Sequence, residues 1–327
     1  MFKSIRSLLH MLSLPKPDYE FYCREKRLER YKKNDGGDIK YLHLHSIIHR
    51  ILMPLMKCEL YLFGKRLVIL RDNRKKTNSP IIFCPTHIGG VDIEMSFLAI
   101  HSPCWVALGW PRELYKSING MMTQMNGWIP FDIDHKDDRI AAKAQMQALL
   151  KKGGNLLLFP EGIQNISPNA LIGHLYAGAV DLAITYGAEI IPVAIGRNEE
   201  KYFFIIGENI SYENYTYDDR YRLTEELRNH LATLKWEIIE KLPTIKREDI
   251  DETTYNQYLK CITTFNTKHT LTIDDIHAAM FHPKNVTEPE IVFRHLTNIS
   301  PKPETAFLFN TRLTGYYFQS KNKHRNL

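Results

Sequence analysis

The 327-residue sequence has only five cysteines, and no two of them form a C-x-x-C pair. They lie far apart in the chain, at Cys23, Cys58, Cys84, Cys104 and Cys261. An odd number of widely spaced cysteines is not the pattern of a disulfide-bonded scaffold or of a structural zinc site. We therefore expect free thiols in a reducing compartment, and we predict neither a metal site nor a cofactor.

Long uncharged apolar runs are missing as well. No stretch reaches the roughly 18 residues that a membrane-spanning helix requires. Residues 1–14 have neither the long apolar core nor the small-residue cleavage site of a signal peptide. We therefore expect no transmembrane span and no signal peptide.

The charge is unevenly distributed along the chain. Residues 1–80 contain 18 Lys and Arg against 8 Asp and Glu, while the remainder is slightly acidic. Such a basic quarter predicts contact with a polyanion, either an anionic membrane or a nucleic acid. The basic residues alternate with aliphatic ones in residues 2–12 and 41–63, which favours a membrane surface over nucleic acid. Docking of residues 2–12 on the protein body is an equally good interpretation.

Between residues 67 and 206, short apolar runs alternate with segments of helical periodicity. The predicted strands cover residues 67–70, 81–84, 104–108, 155–159, 189–195 and 203–206. One of the intervening helices is predicted to run from an Asp134 cap to about residue 152, and a longer one covers residues 223–238. This alternation predicts an α/β fold with a central, mostly parallel sheet flanked by helices.

Changes in composition and hydrophobic periodicity along the chain suggest three regions. Residues 1–57 are predicted to be a basic, amphipathic region that associates with membranes. Residues 58–215 form the α/β core, and residues 216–327 form a helical C-terminal extension that shows no catalytic constellation.

One candidate site follows the strand at residues 81–84. Pro85 ends this strand, His87 follows it, and Asp92 begins the next helical segment after Gly89 and Gly90. A histidine and a carboxylate can converge across such a turn, and the carboxylate then fixes the imidazole tautomer of a general base. With 14 histidines in the chain, the spacing alone is weak, and a capping aspartate beside a solvated histidine is the alternative.

A second candidate site is the segment Phe159-Pro160-Glu161-Gly162, which ends another predicted strand. The carboxyl ends of strands in α/β sheets are where ligands bind. Taken alone, the segment is better explained as a tight turn with an exposed glutamate.

Together these segments resemble the glycerophospholipid acyltransferase family, which includes the lysophospholipid and 1-acylglycerol-3-phosphate acyltransferases. Four blocks occur in the family's order between about residues 55 and 210. They are His87 with Asp92 for H-x-x-x-x-D, residues 127–132 (GWIPFD) for G-x-I-P-V-D-R, residues 159–162 for F-P-E-G-T-R and residues 191–194 (IPVA) for V-P-V-A.

The resemblance implies transfer of a fatty acyl group from acyl-CoA or acyl carrier protein to a lysophospholipid hydroxyl, at the cytoplasmic face of a membrane. His87 is then the general base and Asp92 its orienting partner. Glu161 and Gly162 shape the acceptor site, and the other implied substrate-binding residues are Gly127, Ile129, Phe159 and Pro160. Attack on a thioester also needs donors for an oxyanion, for which the backbone of Gly89 and Gly90 is a candidate.

The sequence departs from the family where the acceptor phosphate is expected to bind. Ile133 and Gln164 stand where the family has arginines, and the lysine often found later is missing from residues 175–178. Isoleucine and glutamine cannot make a bidentate arginine–phosphate contact. A different hydroxyl-bearing lipid, or a glycolipid, therefore becomes a better acceptor than lysophosphatidic acid. A non-catalytic, lipid-binding member of the family is the alternative.

Overall fold

The structure is a computed structural model that describes residues 13–33, 39, 41–109, 118–166, 170–243, 251, 253–254, 256–257, 260 and 272–283. The chain divides into two compact units. One comprises Met1–Ile166 with Leu171–Phe281, and the other comprises Ser167–Ala170 with His282–Leu327. All described helices and strands lie in the first unit.

A seven-stranded sheet forms the centre of the first unit, in the order β1-β7-β6-β2-β5-β3-β4. Every neighbouring pair is parallel except β6 and β7, which form an antiparallel pair. The strands are β1 (Arg66–Asp72), β2 (Ile81–Pro85), β3 (Trp105–Gly109), β4 (Trp128–Phe131), β5 (Leu156–Leu157), β6 (Glu189–Asn198) and β7 (Lys201–Ile206). The predicted mostly parallel α/β sheet is confirmed.

Helices cover both faces of this sheet. They are α1 (Lys16–Lys33), α2 (Leu42–Leu62), α3 (Asp92–Ile100), α4 (Ile118–Asn126), α5 (Lys136–Lys151), α6 (Gly178–Tyr186), α7 (Arg220–Lys241) and α8 (Ile273–Ala279). Strand β2 shows why two layers are needed, because successive side chains of a strand point to opposite faces. Ile82 and Cys84 pack with residues of α5, α6 and α7, whereas Phe83 packs with residues of α2 and α3.

The N-terminal helix α1 is attached to the core by buried ion pairs. The guanidinium of Arg27 binds both carboxylate oxygens of Asp138 in α5, at 3.0 and 2.6 Å. Arg24 reaches Asp132 at 3.2 Å, directly after β4. The charge run at residues 24–33 therefore includes two cations that join α1 to the α/β core.

Several predicted boundaries were wrong. Helix α5 begins at Lys136 with His135 as its N-cap, because Asp134 lies in a turn and donates its N–H to the Asp132 carboxylate. Strand β5 is only Leu156–Leu157, since the chain then turns to bring Glu161 towards β2. The amphipathic segment at residues 2–12, Cys261 and most of the predicted C-terminal extension lie outside the described residues.

Candidate active site

The end of β2 is fixed against β6 before the candidate histidine begins. The N–H of Thr86 donates to the carbonyl of Val193, and the Thr86 hydroxyl accepts the N–H of Ile195 at 2.9 Å. His87 follows, and its Nδ1 lies 2.8 Å from Oδ2 of Asp92, the first residue of α3. Asp92 is only 1% exposed. The structure therefore brings His87 and Asp92 together across the turn.

Asp92 also organises the loop between them. Its Oδ2 accepts the backbone N–H groups of Ile88 and Gly89, each at 2.8 Å. The expectation that the Gly89 N–H is an oxyanion donor was therefore wrong, because the Asp92 carboxylate already uses it. The N–H of Gly90 makes no hydrogen bond within the described part of the chain, and it is the donor that the turn leaves available.

The Gly90 position needs glycine for two reasons. Its φ of 71° lies in the left-handed region that other residues rarely adopt. A Cβ there would also lie 2.7 Å from the hydroxyl oxygen of Tyr202 in β7. The close approach of β7 thus keeps this turn tight beside His87.

The charge state of His87 is set by opposing effects. Burial lowers the pKa of the imidazole, but the charge and hydrogen bond of Asp92 and the charge of Glu161 raise it more, so the pKa lies above its usual value. The carboxylate of Asp92 accepts the Nδ1 proton, so the neutral ring carries its lone pair on Nε2. Nε2 makes no hydrogen bond to any residue that the structure describes. An imidazole held in this tautomer is equipped to accept a proton.

Glu161 holds the backbone of His87. One carboxylate oxygen of Glu161 accepts the His87 N–H at 2.9 Å, and the other accepts the N–H of Gly173 at 2.7 Å. The carbonyl of His87 in turn accepts the N–H of Asn165 at 2.9 Å. Burial raises the pKa of Glu161, which is 3% exposed, although these N–H groups and the charge of Lys235 act against the rise. Glu161 thus connects the end of β5 to the end of β2.

The rest of the third block packs around this junction. The ring of Phe159 lies against the imidazole of His87, with 4.6 Å between ring centroids. Pro160 accepts the N–H of Tyr176 through its carbonyl. Gly162 has a φ of 77°, and a Cβ there would lie 2.6 Å from the Tyr176 ring. These contacts place Phe159 beside the candidate base and Gly162 against the Tyr176 ring.

A small pocket adjoins Glu161. It is lined by Glu161, Ile163, Gln164, Asn165, Gly173, His174, Met280 and Phe281. Gln164 is 1% exposed, and its Nε2 has no hydrogen-bond partner among the described residues. A buried amide donor without a partner is costly, so this atom marks a position where a ligand oxygen could be accommodated.

The second block lies away from His87. Gly127 packs against the Trp105 ring, and Ile129 is fully buried in the hydrophobic core. Strands β5 and β3 separate β4 from β2, which corresponds to about 14 Å of sheet. The structure therefore does not bring Gly127 and Ile129 together with His87. Both residues pack within the core of the protein.

Two basic side chains near these blocks were missed by the sequence reasoning. Arg139 of α5 donates to the carbonyl of Ile133, so a cation lies close to one position where the family's arginine is absent. Lys235 of α7 carries a charge that acts on both Glu161 and Asp92. Their positions depend on helix packing, and no motif spacing could have revealed them.

Comparison with known proteins locates the site within a recognised segment. Residues 67–196 match the family model described as Acyltransferase. Among solved structures, a match is the 1-acyl-sn-glycerophosphate (LPA) acyltransferase PlsC from Thermotoga maritima, at 14% identity and a TM-score of 0.46. That alignment covers 75% of this chain and 91% of PlsC. A search of curated proteins finds no match.

Proposed function

We propose, from the match of residues 67–196 to the acyltransferase family model, that the chain is an O-acyltransferase acting at a membrane surface. It transfers a fatty acyl group from a thioester of CoA or acyl carrier protein to a hydroxyl of a lysophospholipid or related lipid. The observation that carries the proposal is the 2.8 Å contact between His87 Nδ1 and Asp92 Oδ2 at the carboxyl end of β2.

His87 starts the reaction as a general base. Its Nε2 takes the proton of the acceptor hydroxyl while the hydroxyl oxygen attacks the thioester carbonyl. Asp92 stabilises the imidazolium that forms and keeps Nδ1 protonated. The tetrahedral intermediate then collapses, the carbon–sulfur bond breaks, and the imidazolium returns the proton to the leaving thiolate. The products are an ester and a free thiol, and the base is regenerated.

The oxyanion of the intermediate requires hydrogen-bond donors. The Gly90 N–H is the candidate, because Asp92 already binds the N–H groups of Ile88 and Gly89. A preorganised donor of this type lowers the activation barrier because it stabilises the negative charge that develops in the transition state.

An exposed apolar face on α2 supports the membrane part of the proposal. Its exposed side chains include Leu44, Ile47, Ile51, Leu55 and Leu62. Arg50 and Lys57 lie on the same helix and are also exposed. Apolar side chains flanked by basic ones bind an anionic bilayer interface. No described helix is long and apolar enough to cross a membrane.

The base can be tested directly with His87→Ala. We expect the wild type to release free thiol from acyl-CoA or acyl carrier protein in the presence of lysolipid vesicles, and the variant to release none above background. The matched control is His230→Ala, which removes an exposed histidine of α7. Mass spectrometry of a mixed lysolipid pool would identify the esterified product.

The same assay separates catalysis from lipid binding. If the wild type and His87→Ala consumed thioester equally, His87 would not be the base, and a non-catalytic lipid-binding protein would become the better interpretation. If His87→Ala is inactive but binds vesicles as well as the wild type does, the proposed acyltransferase activity is supported.

A further inference from the structure

The cation of Arg197 lies beside the turn that follows β2. Strand β6 continues beyond the end of β2, because Val193 pairs with Pro85 while β6 runs on to Asn198. Arg197 therefore lies at the carboxyl edge of the sheet, where α/β folds bind their ligands. A Cβ placed on Gly90 would lie 3.6 Å from Nη1 of Arg197. The guanidinium is thus a neighbour of the turn that carries the candidate base.

Contacts within the β6–β7 hairpin hold this guanidinium in place. The Nε–H of Arg197 donates to the carbonyl of Glu199 at 2.6 Å, and its Cζ lies 5.3 Å from the centre of the Tyr202 ring. Tyr202 is fully buried, and its hydroxyl accepts the N–H of Val91 at 3.4 Å. The same tyrosine therefore supports the guanidinium and the turn, which fixes one relative to the other.

One side of the guanidinium is available to a ligand. Nη2 of Arg197 lies 3.5 Å from a carboxylate oxygen of Glu200, which also pairs with Lys65. Glu200 is half exposed, and such a shared surface pair neutralises little of the charge. Nη1 makes no hydrogen bond to any residue that the structure describes. The Arg197 side chain is 16% exposed, so a substrate can reach these free donors.

Nη1 of Arg197 and the N–H of Gly90 can bind the same oxygen. A Cβ position lies about 2.5 Å from the nitrogen of its own residue. Nη1 is therefore no more than about 6 Å from the nitrogen of Gly90. Two hydrogen bonds of about 3 Å that meet at one oxygen span this distance. The Gly90 N–H is the backbone donor that Asp92 leaves available, so the two free donors form one candidate oxyanion site.

We propose that Arg197 is a catalytic residue that binds the carbonyl oxygen of the acyl thioester together with the N–H of Gly90. This oxygen gains an electron pair when the acceptor oxygen attacks the carbonyl carbon, and the two donors stabilise the negative charge. The pair returns to the carbonyl when the carbon–sulfur bond breaks, and Arg197 keeps its protons throughout. The inference rests on the proposed acyl transfer and adds to it a residue that lies just beyond the matched segment 67–196.

The first test is the rate of the chemical step. Arg197→Met removes the charge and the donors but keeps an apolar stem over Tyr202. In single-turnover release of thiol at saturating lysolipid, we expect a loss on the order of 10²- to 10³-fold, the effect of removing one oxyanion donor. The matched control is Lys201→Met, which removes an exposed cation from the same hairpin and should leave the rate unchanged.

A dithioester donor distinguishes oxyanion binding from support of the fold. Sulfur is a weak hydrogen-bond acceptor, so the wild type should react more slowly with the dithioester than with the thioester of the same acyl chain. In Arg197→Met the ratio of these two rates should move towards one, because the contact to oxygen is already lost. An unchanged ratio would overturn the proposal, since partial misfolding lowers both rates by the same factor.

Binding of a donor without a carbonyl completes the test. An S-alkyl thioether of CoA should bind to the wild type and to Arg197→Met with the same Kd in equilibrium dialysis. If its affinity fell by the factor lost in the rate, Arg197 would hold another part of the donor, and the proposal would be wrong.

The outcome for the wild type separates this inference from the proposed function. If the wild type transfers acyl groups and Arg197→Met does so at the same rate, only the role of Arg197 is refuted. If the wild type releases no thiol from either acyl-CoA or acyl carrier protein, the proposed acyl transfer is refuted and the role of Arg197 with it.

Discussion

Asp92→Asn removes the charge of the carboxylate that contacts His87 and changes little else. Three donors converge on one oxygen of Asp92: Nδ1 of His87 and the N–H groups of Ile88 and Gly89. If the introduced asparagine placed its NH2 group at the Oδ2 position, that group would face three other donors. We therefore expect the amide oxygen of the asparagine to occupy the Oδ2 position. The imidazole therefore keeps its tautomer, and the substitution tests the charge alone.

The magnitude follows from this geometry. Replacing a charge-assisted hydrogen bond by a neutral one in a buried site costs about 1.5–3 kcal/mol. That energy corresponds to a loss of about 10- to 150-fold in the rate of the chemical step. It is well below the ~10⁴-fold loss in a serine protease, where the equivalent substitution inverts the tautomer. The pKa of His87 should also fall, because the largest effect raising it is removed.

The assay is single-turnover release of thiol from the acyl donor at saturating acceptor, measured across pH. Glu94→Gln is the matched control, since it alters a carboxylate two residues later in α3 whose pKa burial raises to about 7. Its rate should stay close to that of the wild type. A loss below about threefold in Asp92→Asn, less than 1 kcal/mol, would refute the role of Asp92 as orienting partner.

Three other outcomes follow from the structure. The rate of acyl transfer should rise with pH to a plateau with a midpoint above 6.5, because the base must be neutral and the pKa of His87 is raised. The contribution of the His87–Asp92 contact to the free energy of unfolding, measured by urea unfolding, should be full below pH 6.5 and should decline through the same midpoint. Arg27→Met should lower the free energy of unfolding by about 3–5 kcal/mol, since it leaves Asp138 buried without its cation. Ile51→Glu with Leu55→Glu should weaken sedimentation with anionic vesicles while leaving acyl transfer to short-chain soluble acceptors intact.

The membrane test has a control that carries the same added charge. Asn229→Glu with Thr233→Glu places two carboxylates on the exposed side of α7. If both double variants lost vesicle binding equally, net charge would explain the effect and the α2 face would not be the contact surface. Retained binding in the α2 variant would contradict the proposal directly.

The parts of the site that the sequence predicted are those made by local contacts. His87 and Asp92 are five residues apart, and a strand ending at Pro85 followed by a glycine turn and a helix leaves few ways to arrange them. The alternation of apolar runs and helical periodicity likewise predicted the mostly parallel sheet. In both cases, backbone geometry over a few residues determines the outcome.

The parts that the sequence did not predict depend on packing between distant segments. Glu161 was expected at the acceptor, yet both of its oxygens bind backbone N–H groups, one of them that of His87. The cation Lys235 comes from α7, which the periodicity of residues 223–238 predicted only as a packed helix. Periodicity indicates which side of a helix is buried, but it does not indicate which loop that side meets.

The two carboxylates near His87 assist the base but would repel an acceptor with a negative headgroup. Asp92 and Glu161 are both buried, and both favour the protonated imidazole, which assists formation of the imidazolium during attack. An acceptor with a negative headgroup entering this site would be repelled by the same charges, since such repulsion is strong where water is excluded. The charges of Lys235, Glu161 and Asp92 act on one another, and a positive charge there opposes this repulsion.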